Sequence, residues 1–131
     1  SIGYLPDVAA LNQTIANFSQ HTKQGGVIAV EPWFEPGFLT DGYVSFSTVD
    51  DDNLKLVRMN RTSLNGPISR LNFHYLIGIP GQEGRLEHIT ETHDLRMFTR
   101  AEMIAAFTTA GLIVRFIDGG LQDRGLYLAV K

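Results

Sequence analysis

Residues 25–34 read GGVIAVEPWF. Val27 to Val30 is a continuous apolar run without alternation, the pattern of a strand covered on both faces, as in a parallel sheet. Just upstream, Val8, Leu11, Ile15 and Phe18 recur near the 3.6-residue period and make one apolar stripe. Asp7, preceded by Pro6, is placed to cap that helix. His21 and Lys23 fall in its last turn, where positive charge complements the helix dipole, and Gly25 suits the left-handed residue at the end. A helix, a short glycine turn and a buried strand form half of a βαβ unit. This segment predicts an α/β sheet.

Working outward, the chain opens on Ser1 and runs straight into Ile2, Gly3, Tyr4 and Leu5. That apolar run reads as the end of a buried strand. Domains seldom begin inside a strand, so the reading predicts a cut at this edge. On the other side, EPWFEPGFLTDG (31–42) is a loop rich in aromatic, Pro and Gly residues, a composition suited to closing over something. Alternating runs follow at Tyr43 to Val49, Leu54 to Met59, Ile68 to Ile79 and Leu86 to Leu95. The turn-like segments DDDN, LNGP and PGQEG separate them, which predicts antiparallel strands. Thr99-Arg100-Ala101-Glu102 spells a capping box for a second helix. Met103, Phe107 and Ala110 lie on its inner face, and Gly111 stops it. Leu112 to Ile117 and Leu126 to Val130 are strands around the turn DGGLQDRG. The expected architecture is an α/β sheet ending in a hairpin, with an antiparallel β insertion after an internal strand.

The chain has 131 residues, of which 44% are hydrophobic and 19% charged, enough apolar material for a packed core. Eleven Lys and Arg face 14 Asp and Glu, for a net charge of −3, and the basic residues form no run. This argues against nucleic acid and anionic membrane as partners. Without cysteine there is no disulfide, no Cys-based zinc site and no thiolate nucleophile. Neither a membrane-length apolar segment nor a signal peptide is visible, which fits a cytoplasmic protein.

Glu31 closes the apolar strand. In open α/β sheets ligands bind outside the carboxyl ends of the strands. A carboxylate there accepts hydrogen bonds from an amine or a sugar hydroxyl, and Pro32 holds Glu31 extended. The competing reading is a solvated loop acid beside an aromatic lid. His74, His88 and His93 invite a metal reading, but His88 and His93 point to opposite faces of one regular strand. Glu91 and His93 share a face, and two ligands make a weak site, so ordinary sheet histidines fit better. Arg58, on an inserted strand, and Arg124, in the last hairpin, are candidate phosphate or carboxylate clamps, weighed against ordinary surface arginines. Gly25-Gly26 and Gly119-Gly120 fit turns, and neither forms a dinucleotide fingerprint.

Taken in order, SIGYL, GGVIAVEPWF, GYV, HYL, MFTRAEM, AAFTTAGL and RGLYLA resemble the second half of S-adenosylmethionine-dependent methyltransferases. Specifically, they resemble the N,N-dimethyltransferases of nucleotide-linked deoxyaminosugars. VEPWF and RGLYLA are the most specific segments. The resemblance implies a partial Rossmann-like methyltransferase core over 1–131, its C-terminal half, with the β insertion at about 43–95. It implies S-adenosylmethionine as cofactor of the complete protein, with the glycine-rich loop that binds it absent from this chain. It also implies a small-molecule acceptor, with Tyr4 and Glu31 at the methyl-transfer centre and Ser1, Trp33, Arg58 and Arg124 on the substrate side. Glu31, Trp33, Arg58 and Arg124 are expected around one crevice, the acid facing the amine and the arginines the phosphates. Where related sequences carry SIGHL, this chain has Tyr4, which weakens the case for an imidazole base and permits a different acceptor. Alone, the chain is expected to be inactive and to need its missing N-terminal half or to self-associate. The alternatives are a methyltransferase-derived module that binds a ligand or partner without chemistry and, less well supported, a small cupin-like metal enzyme.

Overall fold

The computed structural model describes residues 2–81 and 85–131. The chain forms two compact units, one made of the segments up to Phe38 and from Leu95 onward, the other of Leu39–Asp94. No described helix is long and apolar enough to cross a membrane.

In the first unit, helix α1 spans Val8–His21 and helix α2 spans Arg100–Thr109. Both begin as the sequence predicts. Asp7 Oδ1 accepts from Ala10 N at 2.8 Å. Thr99 and Glu102 satisfy each other's backbone N–H groups in a complete capping box. Helix α1 stops at His21, because Thr22 turns to extended backbone and its hydroxyl donates to Phe18 O at 2.7 Å. Lys23 therefore lies beyond the helix rather than in its last turn, and Gly25 is left-handed, as expected, at φ +75° three residues past the cap.

Strands β1 (Val27–Val30), β6 (Ile113–Ile117) and β7 (Leu126–Val130) form a sheet in the order β1-β7-β6. β7 pairs antiparallel with both neighbours, setting Val30 opposite Tyr127 on one side and Phe116 opposite Tyr127 on the other. The parallel expectation for Val27–Val30 is thus corrected. An apolar run reports how much of a strand is to be covered, whereas the partner's direction comes from the β6–β7 hairpin. Within this chain Ile28 and Val30 pack on the core, while Val27 is 65% exposed. The opening run is corrected too, since Ile2–Tyr4 is one turn of 3₁₀ helix that buries Ile2 and leaves Tyr4 exposed.

The core lies between the two helices and the sheet. Leu11, Ile15, Met103, Phe107, Tyr127 and Ala129 are fully buried in it. Each large apolar side chain there contributes about 1.5–3 kcal/mol by leaving water. The Tyr127 ring stacks on Phe107 at 5.9 Å and tilts against Phe116 at 4.8 Å.

The second unit carries strands β2 (Val44–Asp50), β3 (Lys55–Asn65), β4 (Ile68–Gly78) and β5 (Leu86–Arg96), neighbours in that order. β2 and β3 are antiparallel, as are β3 and β4. Asp51 Oδ1 closes the first hairpin by accepting from the backbone N–H groups of Asn53 and Leu54, both at 2.7 Å. Gly66, at φ +57°, begins the two-residue turn of the second, which requires a left-handed residue there. β3 is longer than the Leu54–Met59 reading because it pairs with β4 as far as Asn65 opposite Ile68. Part of the turn read as PGQEG, residues 82–84, lies outside the described residues.

Burial raises the Tyr127 hydroxyl to about 12, with the Glu35 carboxylate adding to the shift and Arg100 opposing it. A group raised in the folded state stabilises fully below its unfolded value near 10 and loses that contribution as pH climbs toward 12. Unfolding free energy should therefore fall by about 2–3 kcal/mol over that window, and denaturant titrations should show this part of the loss missing in Tyr127→Phe. A second expectation concerns Gly125, at φ +79°, where an added Cβ would sit 2.1 Å from the Phe116 ring. Gly125→Ala should cost about 2–4 kcal/mol from left-handed strain and overpacking together. Gly37, at φ +88° with open space around it, should cost only about 1–2 kcal/mol on the same change. Equal losses in thermal unfolding would show that the Phe116 ring simply moves aside.

Candidate functional site

Glu31 leaves the carboxyl end of β1, and Arg124 sits in the turn that leads into β7. Because Val30 lies opposite Tyr127, the two side chains meet although 93 residues separate them. Arg124 Nη2 donates to Glu31 Oε2 at 2.7 Å, and both side chains are more than four-fifths buried, at 18% and 17% exposure. The same Nη2 donates to Gln122 Oε1 at 2.8 Å. The guanidinium carbon lies 5.5 Å from the Trp33 ring centre and 5.9 Å from that of Phe34. Trp33 meets Phe34 edge-on at 4.9 Å, and Phe34 stacks on Phe38 at 5.0 Å. The aromatic loop thus makes a wall beside a buried ion pair. Glu31 Oε1 and Arg124 Nε are buried and have no hydrogen-bond partner among the described residues.

Two cavities border this pair. One, about 490 Å³, is lined by the Phe34–Phe38 segment, Arg100, Phe116 and the turn around Asp118–Gly125, with Arg124 on its wall. Arg100 is held there by Glu35, which accepts from Nε at 3.2 Å, and by Asp118 at 3.6 Å, with its guanidinium 3.8 Å above the Phe116 ring. The other, about 390 Å³, is mostly apolar and runs along Ile2, Leu5, Thr14, Phe18, Ala29 and Val30 to Glu31.

Of the residues singled out in the sequence, the structure brings Glu31, Trp33 and Arg124 together. Tyr4 lies on the opening 3₁₀ turn, and Ser1 falls outside the described residues. Arg58 belongs to the other unit, where it is opposite Tyr75 on the neighbouring strand and its guanidinium stands 5.5 Å from the Phe73 ring centre. There Tyr75 donates to Glu91 at 3.1 Å and is raised in pKa, first by desolvation and then by Glu91. His93 Nε2 lies 3.4 Å from the same carboxylate. His74 and His88 stack on each other with ring nitrogens 3.0 Å apart. Among the described residues no group of three or more His, Cys, Asp or Glu side chains could hold a metal ion. Sequence reasoning passed over Gln122, Glu35 and Arg100. A loop acid, a turn glutamine and the first residue of a helix have no local pattern to mark them as neighbours of Arg124.

No family model matches the sequence. The chain is 37% identical over 130 residues to a dTDP-3-amino-3,4,6-trideoxy-alpha-D-glucopyranose N,N-dimethyltransferase of Streptomyces venezuelae, covering 99% of this chain and 54% of that protein. It is 38% identical over 127 residues to a dTDP-3-amino-3,6-dideoxy-alpha-D-glucopyranose N,N-dimethyltransferase of Streptomyces fradiae, covering 97% and 49%. Among solved structures, Streptomyces venezuelae DesVI superposes with a TM-score of 0.93 at 36% identity, over 98% of this chain and 54% of that one. The S-adenosylmethionine-bound amino pentose methyltransferase CalS10 of Micromonospora echinaspora gives 0.89 at 32% identity, over 98% and 53%. A Clostridium acetobutylicum S-adenosylmethionine-dependent methyltransferase, at 15% identity and a TM-score of 0.73, shares the fold alone. The chain spans about half the length of the curated relatives it matches. Its fold is that of one part of a Rossmann-like S-adenosylmethionine-dependent methyltransferase, and along its whole length its sequence resembles the nucleotide-deoxyaminosugar N,N-dimethyltransferases.

Proposed function

We propose that the protein carrying this chain is an S-adenosylmethionine-dependent N-methyltransferase acting on a nucleotide-linked aminosugar, and that residues 1–131 form its acceptor-binding, C-terminal half. The observation that carries the reading is similarity along essentially the whole chain, at 37–38% identity, to two enzymes named for that chemistry. The Leu39–Asp94 unit is the β insertion of that half.

The described residues do not make a cradle for the cofactor. Both helix N-termini in the first unit are closed by their own side chains, Asp7 on α1 and the Thr99–Glu102 box on α2. Neither is preceded by a glycine-rich turn, so the main cofactor contacts fall to the remainder of the protein. The exposed apolar residues Val27 on β1 and Ile113 on β6 are where that remainder, or a second copy, would cover this unit.

What this chain supplies is a place for the amine. Methyl transfer from a sulfonium to a neutral amine is an in-line displacement, in which alignment and exclusion of water lower the barrier. Trp33 and Phe34 exclude water beside Glu31, whose carboxylate orients the amine and can receive its proton. Tyr4 contributes from the opening turn, and Ser1 is assigned to the same side. Arg58 is assigned to the nucleotide-sugar from the insertion.

Methylation assays with S-adenosylmethionine and a nucleotide-linked 3-aminosugar test the reading. The complete protein should transfer methyl groups, whereas the 131-residue chain alone should neither transfer them nor bind the cofactor tightly in calorimetry. Micromolar cofactor affinity in the isolated chain would sink the division between halves. A complete protein that binds cofactor and leaves the aminosugar unmethylated would sink the substrate class.

A further inference from the structure

Arg124 has the form of a phosphate clamp and the surroundings of something else. Its Nη2 is held by Glu31 Oε2 and Gln122 Oε1, the Trp33 and Phe34 rings lie together beside its guanidinium, and its side chain is only 18% exposed. The cavity on which it borders carries three carboxylates, Glu35, Asp118 and Asp123, against two guanidiniums, Arg100 and Arg124. Arg100 is itself paired with Glu35 and Asp118. A diphosphate placed there would meet an excess of like charge and no uncommitted cation.

Glu31 is the other half of the argument. A guanidinium usually meets a carboxylate through two parallel hydrogen bonds. Here the contact is single, and it leaves Oε1 buried with no donor among the described residues. A charged oxygen shielded from water without a hydrogen bond is costly unless a ligand N–H or O–H satisfies it. Holding Oε2 fixes the carboxylate plane, and so fixes where Oε1 points.

We propose that Arg124 is a positioning residue: it acts through Glu31, aiming Oε1 at the acceptor's amine, and it does not bind the diphosphate. This rests on the aminosugar reading and assigns the roles within that site. Gln122 steadies the guanidinium from the turn, so the aim of Glu31 is set from the β6–β7 hairpin.

The test uses the complete protein as wild type, Arg124→Ala, Arg124→Lys, Glu31→Gln and the Arg124→Ala/Glu31→Gln double variant. Turnover of a nucleotide-linked 3-aminosugar is measured alongside calorimetric binding of dTDP alone, which has diphosphate and no amine. Arg124→Ala should lower kcat on the order of tenfold to a hundredfold, the scale of a misaimed reacting group, and leave dTDP affinity unchanged. The double variant should be no slower than Glu31→Gln, and Arg124→Lys should recover part of the rate. A loss of about tenfold or more in dTDP affinity, as expected for a lost charged phosphate contact, would overturn the assignment, as would rate losses that multiply in the double variant. An active wild type with either result overturns this proposal alone. A wild type that binds cofactor and methylates no aminosugar overturns the functional reading and this proposal with it.

Discussion

The position of β7 between β1 and β6 governs the first unit. Tyr127 and Ala129 project from it into the core and are fully buried. Around them pack Leu11 and Ile15 of α1, and Met103 and Phe107 of α2. Since β7 is antiparallel to β1, the chain enters β7 at the very end where β1 exits. The turn that delivers β7 must therefore pass beside Glu31. The Glu31–Arg124 contact is thus a consequence of strand order, and the helices fix it by burying the strand. Gly125 allows the turn to run against the Phe116 ring, where a side chain would collide.

Much of this was legible locally. Both helices were marked by cap chemistry that acts within one turn, Asp7 on Ala10 and Thr99 with Glu102. The four strands of the second unit were marked by alternation and by turns with their own mechanism, as at Asp51 and Gly66. What failed was whatever depended on a distant partner. Val27–Val30 has the composition of a doubly covered parallel strand, yet the neighbour that reaches it comes from a hairpin about a hundred residues later. Ile2 to Leu5 is apolar enough for a strand, but Ile2 reaches the core from a 3₁₀ turn instead. The pairing of Glu31 with Arg124 is of the same kind. The sequence reading expected Glu31, Trp33, Arg58 and Arg124 around one crevice, and it did not foresee that Glu31 and Arg124 bind each other directly.

In the second unit polar pairs stand among exposed apolar side chains such as Phe46, Met59, Leu76 and Leu86. Arg70 and Asp94 form a two-point ion pair at 2.6 Å, which lowers the Asp94 carboxyl and raises the Arg70 guanidinium. Both are well exposed, so the pair contributes little to stability and more to register. The three histidines read as possible ligands are each in contact with a neighbour: His74 with His88, and His93 with Glu91 and the Phe73 edge. Their spacing along the strands already separated them by face, so the two histidines that do meet come from different strands.

A buried ion pair is a poor device for holding a protein together. Desolvating both charges costs several kcal/mol, and only close, fully hydrogen-bonded geometry recovers it. The pair of Arg70 and Asp94 has that geometry on the surface, where it contributes least. The pair of Glu31 and Arg124 lies where the cost is greatest and makes a single contact, with one buried acceptor and one buried donor left over. Stability alone would favour well-packed apolar side chains of similar volume at these two positions. An aromatic wall stands beside the pair, and a cavity adjoins each partner. On the function proposed above, the incompletely satisfied charge belongs to a binding site, and its remaining hydrogen bond is supplied by what enters.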